Sequence, residues 1–398
     1  MVSFPKEAVR SNRLMRGLLL ILLSIFFVFG ISSSTNAQKP EFNIHGQLSG
    51  WMSVKPEHPF SVLSGSRYIP TLSGKIKLND KLKLDAELSP NIYGSLFFQS
   101  GKPANDNGDF KLYRGWLRLS ANQFELRLGL QKLNFGSATL LRPMMWFDQV
   151  DPRDPLQLTT GVYGLLFRYY FLNNANLWIW GLMGNDRPKG WELIGSDKKK
   201  PEFGGRFQFP LSKGEMALSY HHREANTLNT NIPLADSIHA IVPEDRIGLD
   251  GKWDLGVGLW FEASLSRMPF KQIPDRYTRM GDLGTDYTFG IGNGLHVLGE
   301  QFIYSVSEKA FDKGENITLT ALLANYPLGL IHNISAIVYY DWTNKGWYRF
   351  INWQMTFDKW SFYLMGYWNP DQFQLYQTTY DTNMFTGAGF QVMAVFNH

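Results

Sequence analysis

The segment LRPMMWFDQVDPRDP combines an apolar run with closely spaced charged residues. Three carboxylates, Asp148, Asp151 and Asp154, recur at every third position, and Arg142 and Arg153 lie among them. Carboxylates spaced in this way could ligate a metal ion, exchange protons, or set up a field between opposed charges in a narrow aqueous channel. Which chemistry applies depends on the elements that position the segment.

Two interpretations without a channel are open for these aspartates. A calcium site could use the spacing Asp-x-x-Asp-x-x-Asp, although that spacing lacks the alternating ligands and the glycine of the known calcium loop. A structural loop could use the Asp-Pro pairs to start turns and the arginines for local ion pairs. In a channel, the aspartates would instead face wall arginines across a constriction.

The first 37 residues have the pattern of a secretory signal peptide. Arg10, Arg13 and Arg16 precede the apolar stretch GLLLILLSIFFVFGI, and small polar residues follow it before a predicted cleavage ahead of Gln38. The apolar core is about 14 residues, whereas a membrane-spanning helix needs roughly 20, so an uncleaved anchor is the weaker alternative. Residues 1–37 hold four basic side chains and one acidic one, so their removal lowers the formal net charge from +4 to +1 and leaves no argument for nucleic-acid binding.

Residues 38–398 show the alternation of polar and apolar residues that two-faced β-strands require. In KLKLDAELSPNIYGSL, one face carries Leu84 and Leu88 and the other carries Asp85 and Glu87. The same pattern recurs along the chain and predicts about 18 strands, within a range of about 16–18. No apolar run after the signal peptide is long enough for a transmembrane helix.

The predicted connections alternate between short and long. The short ones are rich in turn residues, as at Asn79-Asp80, and the long ones include residues 99–110, 132–161, 183–202, 222–245 and 266–285. This segregation is typical of a transmembrane antiparallel β-barrel with short periplasmic turns and long outer loops. The barrel must close, because an open sheet edge in hydrocarbon leaves backbone groups unpaired. We therefore predict an all-β fold with a single barrel domain.

The polar faces of these strands would line an aqueous lumen. The arginines that share one sector of the predicted inner wall are Arg114, Arg118, Arg127, Arg168 and Arg206. One interpretation is a basic ladder that guides anions or sugars. The alternative is that they pair with Glu125, Glu87 and Asp85 and stiffen the wall.

The third long connection, residues 132–161, carries a family resemblance. Gly129-x-Gln131 followed by Phe135-Gly136 resembles the strand end and following loop of substrate-specific and exopolysaccharide-export porins of Gram-negative bacteria. Elsewhere the resemblance is one of architecture. As the third long connection, residues 132–161 also resemble, in topology only, the third outer loop of general porins, which implies that the loop folds back into the barrel and narrows it. Its apolar run would then pack against the inner wall, and its constriction residues would be Arg142, Asp148, Asp151, Arg153 and Asp154.

The sequence gives little indication of an enzyme. The sequence has no G-x-S-x-G, H-E-x-x-H or P-loop pattern. An outer-membrane hydrolase could assemble His222 with a distant serine and carboxylate, but we expect a protein that is not an enzyme. The chain has no cysteine, which excludes disulfides and thiolate metal sites.

These patterns predict an outer-membrane channel for passive diffusion of small hydrophilic or anionic solutes, saccharides among them. It needs no cofactor, because the solute moves down its gradient. The alternative is a non-conducting barrel that anchors or helps to assemble an envelope complex. Expected partners are the solute, outer-membrane lipid and lipopolysaccharide, for which Lys198-Lys199-Lys200 is a candidate contact. Lipid-facing and subunit-facing strands have the same pattern, so the sequence does not set an oligomeric state.

Overall fold

The computed structural model describes residues 40–230, 240–270, 276–370 and 385–398. The predicted signal peptide, residues 1–37, lies outside the described residues. In the described part of the chain, no helix is long and apolar enough to cross a membrane.

The described chain forms nineteen β-strands. Their bounds are β1 Glu41–Lys55, β2 Ser61–Lys77, β3 Lys83–Gln99, β4 Lys102–Ser120, β5 Phe124–Gln131, β6 Val162–Tyr170, β7 Asn176–Leu182, β8 Ile194–Ser196, β9 Glu202–Leu211, β10 Gly214–Thr230, β11 Ile241–Asp254, β12 Gly258–Met268, β13 Arg276–Phe289, β14 Leu295–Ser307, β15 Glu315–Leu328, β16 His332–Asp341, β17 Gly346–Thr356, β18 Trp360–Trp368 and β19 Ala388–Asn397. Strands adjacent in the wall pair antiparallel, and β19 pairs with β1, so the sheet closes on itself. β7 pairs directly with β9, which leaves the three-residue β8 outside the wall, beside β10. The wall is therefore a closed antiparallel barrel of 18 strands, and the predicted fold class is confirmed.

The side chains of the wall alternate between its two faces. On β3, Ile92 and Leu96 point outward and are 45% and 52% exposed, whereas Tyr93 and Ser95 point inward and are buried. An outward face of this apolar character is the surface that a bilayer stabilises. The alternation read from the sequence therefore predicts the correct face for these side chains.

The connections form two sets at opposite ends of the barrel. Turns such as residues 212–213 and 357–359 lie at the end where β1 begins and β19 finishes. The connections 132–161 and 183–201 lie at the other end. We call the two ends the short-turn end and the long-loop end, and we call residues 132–161 the third loop.

One predicted long connection, residues 99–110, differs from the structure. β3 and β4 continue as a paired hairpin to a two-residue turn at Ser100-Gly101, whose φ angles are 51° and 75°. Two consecutive positive φ angles are characteristic of the type I′ turn, which matches the twist of a hairpin. The hairpin strands therefore extend well beyond the predicted boundary.

The inner wall is polar in one part and apolar in another. Inward-facing residues of β16 to β19 form a buried apolar and aromatic set: Ile337, Tyr339, Tyr348, Phe350, Tyr363, Met365, Tyr367, Met393 and Val395. Leu140 and Leu141 of the third loop belong to the same cluster and are 2% and 0% exposed. The expectation that polar faces line the whole lumen is thus wrong for this sector, because the third loop covers it and removes it from water.

Candidate functional site

Two wall glutamates hold the third loop through its backbone. Glu300 on β14 accepts hydrogen bonds from the backbone N–H groups of Thr139, Leu140 and Leu141 at 2.6, 2.9 and 2.6 Å. The indole N–H of Trp260 donates to the same carboxylate at 3.2 Å. A carboxylate with several N–H donors is strongly stabilised in its ionised form, which offsets the cost of burying it.

Glu262 on β12 makes a second attachment. It accepts the backbone N–H groups of Ala138 at 2.9 Å and Met144 at 2.5 Å. Gly136 has a φ of +106° and lies against this carboxylate, so a side chain at that position would collide with Glu262. The glycine of the Phe135-Gly136 motif is therefore required both by the backbone conformation and by the close approach to the wall.

A third attachment links the loop to the arginine sector. Ser137 Oγ donates to Asp250 Oδ2 on β11 at 3.0 Å. Asp250 also accepts from Arg206 Nη1 and Nη2 at 2.5 and 2.9 Å. Asp250, Glu262 and Glu300 thus hold consecutive residues of the loop along one side of the lumen.

One carboxylate beside these attachments differs from them in its hydrogen bonding. Asp282 on β13 lies directly opposite Glu262 on the neighbouring strand and is 2% exposed. Neither of its oxygens accepts a hydrogen bond in the described part of the chain. This residue lies within the predicted long connection 266–285, so the sequence does not predict it on the inner wall.

The predicted constriction residues pair within the loop itself. Arg142 Nη1 lies 3.1 Å from Asp148 Oδ2, and Arg153 Nη2 lies 2.8 Å from Asp151 Oδ2. Asp154 Oδ1 accepts the backbone N–H of Leu156 at 3.0 Å, and burial raises the pKa of the Asp154 carboxyl. The local ion pairs are favoured because a buried carboxylate needs a counter-charge at contact distance.

These contacts are local to the loop, and the transverse field stays a prediction. The two ion-paired aspartates have partners inside the loop rather than in the opposite wall. Within the described ranges, no group of three or more His, Asp or Glu side chains is arranged to hold a metal ion. The charges of this part of the loop therefore order the loop.

The third loop crosses much of the lumen. From its attachments on β11, β12 and β14 it continues until Arg153 lies 5.0 Å from the ring centroid of Phe385, next to β19. It then returns to β4, where Arg114 Nη2 donates to the carbonyl of Thr159 at 3.1 Å. The third loop is therefore held at both sides of the lumen.

Three of the five predicted ladder arginines meet at one glutamate. Glu125 lies 3.6 Å from Arg118 Nη1, 3.5 Å from Arg127 Nη2 and 3.2 Å from Arg168 Nη1. Arg118 also contacts Asp85 at 3.2 Å. The side chains of Arg118, Arg127 and Arg168 are 31%, 15% and 18% exposed, so water in the lumen reaches them.

The other two ladder arginines have structural partners. Arg206 forms the bidentate pair with Asp250, and Arg114 donates to backbone carbonyls. The structure thus separates the predicted ladder into a partly exposed group of Arg118, Arg127 and Arg168 and two buried residues.

Sequence reasoning missed a charged network near the long-loop end. Arg223 contacts Glu244 at 2.5 Å and Glu192 at 3.2 Å, and Arg246 contacts the same two glutamates at 2.6 and 2.7 Å. Two arginines and two glutamates form a neutral closed ring. Arg223 and Glu244 lie within the predicted long connection 222–245, so the sequence does not predict them on the inner wall.

His222, the candidate of the hydrolase alternative, points to the outside of the barrel. Its Nδ1 lies 2.9 Å from Asp245 Oδ1, and Tyr220 Oη donates to the same oxygen at 2.7 Å. The neighbouring His221 points inward and lies 3.3 Å from Glu202. The two adjacent histidines therefore belong to different faces of the wall.

Three solved structures share this architecture. OccK5 (OpdH) of Pseudomonas aeruginosa superposes with a TM-score of 0.52 at 10% identity, and the match covers 90% of this chain and 97% of that chain. OccAB1 of Acinetobacter baumannii gives 0.51 at 8% identity, covering 90% and 96%. An anion-selective porin from Comamonas acidovorans gives 0.50 at 12% identity, covering 90% and 100%. The chain has the fold of outer-membrane porins.

At this level of identity the porin fold is what the comparison establishes. No protein-family model and no curated protein matches the chain. A function for this fold has to be inferred from the side chains of its lumen.

Proposed function

We propose that this protein is an outer-membrane channel for passive diffusion of small hydrophilic solutes, with a preference for anions that includes acidic saccharides. The observation that supports this proposal is the partly exposed group of Arg118, Arg127 and Arg168 on the inner wall of a closed barrel. Together with Arg114, these guanidinium groups outnumber the three carboxylates of their sector, Asp85, Glu87 and Glu125. A surplus of fixed positive charge in a narrow lumen favours anions.

The third loop is the proposed constriction of this channel. Its attachments to Glu262 and Glu300 and its internal ion pairs support this role, because they hold the loop against the inner wall and order it. In this proposal Arg142, Asp148, Asp151, Arg153 and Asp154 maintain the aperture. Arg118, Arg127 and Arg168 provide its charge preference.

Ion selectivity tests the charge preference. Replacing Arg118, Arg127 and Arg168 together with glutamine removes three positive charges from the lumen. In planar bilayers under a salt gradient, we expect the reversal potential to shift towards cation selectivity. Arg349→Gln is a matched control, because Arg349 points outward on β17 between Trp347 and Trp368. An unaltered reversal potential in the triple variant would contradict the proposal.

Chemical modification tests the constriction. The chain has no cysteine, so Thr139→Cys creates a single reactive thiol on an exposed position of the third loop. We expect a charged methanethiosulfonate reagent to reduce the single-channel current of this variant by at least about half, because the added group occupies the narrow part of the path. Leu330→Cys, in a turn at the short-turn end, is the control. Equal effects on both variants would show that the third loop does not narrow the conduction path.

A non-conducting barrel is the second candidate, and one observation favours it. Leu140 and Leu141 are completely packed against the apolar sector of the inner wall, so the third loop fills space that an open porin would leave to water. An anchor or assembly partner would need no open path. Bilayer recordings that show no current steps at any voltage would favour this candidate over the channel.

A further inference from the structure

A cavity lies between the third loop, the connection from β7 to β9 and the inner wall of β10 to β14. Its empty volume is about 520 Å³, which includes space open to solvent. Ser264 and Ser266 line it from β12, two and four residues from Glu262 towards the long-loop end. Met145 lines it from the third loop, and Trp191 lines it from the connection between β7 and β9. The cavity, which we call the outer pocket, is therefore on the long-loop side of the Glu262 attachment.

The charged side chains that line the outer pocket are predominantly basic. Four are basic and two are acidic: Arg223, Arg246, Arg276, Lys189, Glu192 and Glu244. Glu192 and Glu244 pair with Arg223 and Arg246 in the closed ring described above, so the charges of these four residues cancel. Arg276 and Lys189 are the surplus, and this surplus favours an anionic occupant.

Arg276 is the cation of the outer pocket that has donors to offer an occupant. It is the first residue of β13, and its Nη2 donates to Tyr304 Oη at 3.3 Å. No carboxylate among the described residues forms an ion pair with it. A guanidinium has five N–H donors, so most of those of Arg276 can bind a carboxylate that enters the pocket. The amine of Lys189 instead donates to Thr160 and Gly161 of the third loop.

Two hydroxyl groups lie beside this cation. Ser266 and Thr278 are directly opposite each other on β12 and β13, and both line the outer pocket. Neither hydroxyl forms a hydrogen bond with another residue in the part of the chain that the structure describes. Each can donate one hydrogen bond and accept others. The pair therefore suits an occupant that carries hydroxyl groups of its own.

An aromatic side chain forms another side of the outer pocket. Trp191 stacks on Phe302 with ring centroids 4.8 Å apart, and its indole N–H donates to the carbonyl of Arg142 at 2.9 Å. These contacts fix the orientation of the ring. A rigid aromatic surface beside a few placed polar groups is the usual composition of a site for a small molecule.

The outer pocket is separate from the partly exposed arginine group. Arg118 and Arg168 lie two residues from the short-turn ends of β4 and β6, whereas Arg276 begins β13 at the long-loop end. The lumen therefore has two basic regions, on different strands and at different heights.

We propose that the outer pocket is a binding site for one acidic monosaccharide unit, a hexuronate. The carboxylate binds the guanidinium of Arg276, the ring hydroxyl groups bind Ser266 and Thr278, and an apolar face of the sugar packs on Trp191. An aromatic carboxylate would leave the two hydroxyl groups of the pocket without partners, and a neutral sugar would leave Arg276 without an anion. This inference rests on the proposed function, because it names the site at which the solute of the channel binds.

Calorimetric titration of the purified full-length barrel in detergent tests the proposal. We expect the wild type to bind glucuronate at least about tenfold more tightly than glucose or benzoate, because only glucuronate has both the carboxylate and the hydroxyl groups. Arg276→Gln should weaken glucuronate binding by about tenfold and leave glucose binding unchanged. The double variant Ser266→Ala, Thr278→Val should weaken glucuronate binding and leave benzoate binding unchanged.

The matched control is Arg279→Gln, because Arg279 points outward on the same strand and donates to Ser305 Oγ and to the carbonyl of Asp312. Its affinity for glucuronate should equal that of the wild type. Equal loss in Arg279→Gln, unchanged affinity in Arg276→Gln, or benzoate or glucose binding as tightly as glucuronate would each overturn the proposal. Unchanged heat-modifiability on gels verifies that each variant is folded, and the double variant tests the pocket independently of Arg276.

A further variant separates this proposal from the channel function. Replacing Arg118, Arg127 and Arg168 together with glutamine should leave glucuronate affinity unchanged, because these residues lie outside the outer pocket. A loss of affinity in this variant would locate the binding at the arginine group and overturn the proposed site. Calorimetry requires no current, so a barrel that binds glucuronate without conducting would contradict the channel alone. A barrel that conducts without binding glucuronate would contradict the outer pocket alone.

Discussion

Glu300 and Asp282 are equally buried carboxyl groups that differ in their hydrogen-bond donors. Both are 2% exposed and face the lumen from adjacent strands. Glu300 accepts three backbone N–H groups and one indole N–H, whereas the oxygens of Asp282 accept no hydrogen bond from the residues that the structure describes. Burying a carboxylate costs free energy that only partners can offset, so the first residue should stabilise the barrel and the second should not.

This contrast gives a residue-scale prediction. Glu300→Gln replaces one acceptor oxygen by an amide N–H₂ that faces backbone donors, and we expect it to lower the free energy of unfolding by about 1–3 kcal/mol. Asp282→Asn replaces a buried carboxyl group whose oxygens accept no hydrogen bond from the described residues, and we expect it to leave the free energy of unfolding unchanged or higher. Urea unfolding of the detergent-solubilised barrel, followed by tryptophan fluorescence, measures both. A larger loss in Asp282→Asn than in Glu300→Gln would show that the attachments of the third loop are not what Glu300 contributes.

At the scale of elements, a lysine joins the third loop to the connection between β7 and β9. Lys189 Nζ donates to Thr160 Oγ1 at 2.9 Å and to the carbonyl of Gly161 at 3.4 Å. Burial lowers the pKa of Lys189 from 10.5 to about 8. The two connections are therefore coupled through a group that titrates in an accessible pH range.

The coupling predicts a pH dependence with a definite sign. Because the pKa of Lys189 is lower in the folded state, the unfolded chain binds more protons between pH 8 and 10.5, and stability should rise with pH across that window. Below pH 8 the lysine is charged in both states and its contribution is constant. We expect the wild type to gain roughly 1–3 kcal/mol relative to Lys189→Met between these limits. Urea unfolding at several pH values measures the difference.

The exposed Lys199 of the same connection supplies a control. Lys199→Met should follow the wild-type pH profile. If Lys189→Met followed it as well, the buried amine would not be the source of the effect.

The sequence predicts those strands and turns whose residues follow a local pattern. Strict alternation predicts which side chains of β3 face the lumen, and turn residues predict most hairpins. Arg223, Glu244 and Asp282 were missed because polar residues on both faces end the visible alternation, although the strands continue through them. The partners of Asp148 and Asp151 depend on how the third loop packs, which no local pattern records.

At the scale of the whole molecule, closure of the barrel does not depend on insertion of the third loop. Closure depends on the pairing of β1 with β19, from Gln47 opposite Asn397 to Val54 opposite Phe390. β5 and β6 pair up to Gln131 and Val162, so the wall is complete without the loop between them. The loop instead contributes buried apolar contacts and the attachments to Glu262 and Glu300.

Replacing residues 132–161 with a short Asn-Gly turn is therefore expected to leave the barrel closed and to widen its lumen. We expect the single-channel conductance to rise at least about twofold, since the narrowest cross-section controls current. The midpoint of urea unfolding should fall, because the apolar sector of the wall then faces water. A wild type without current and a conducting variant would identify the third loop as a plug, whereas equal conductance in both would place the solute path away from the loop. Retained heat-modifiability would show that β1 and β19 still close the wall, so that the change in current can be assigned to the loop alone.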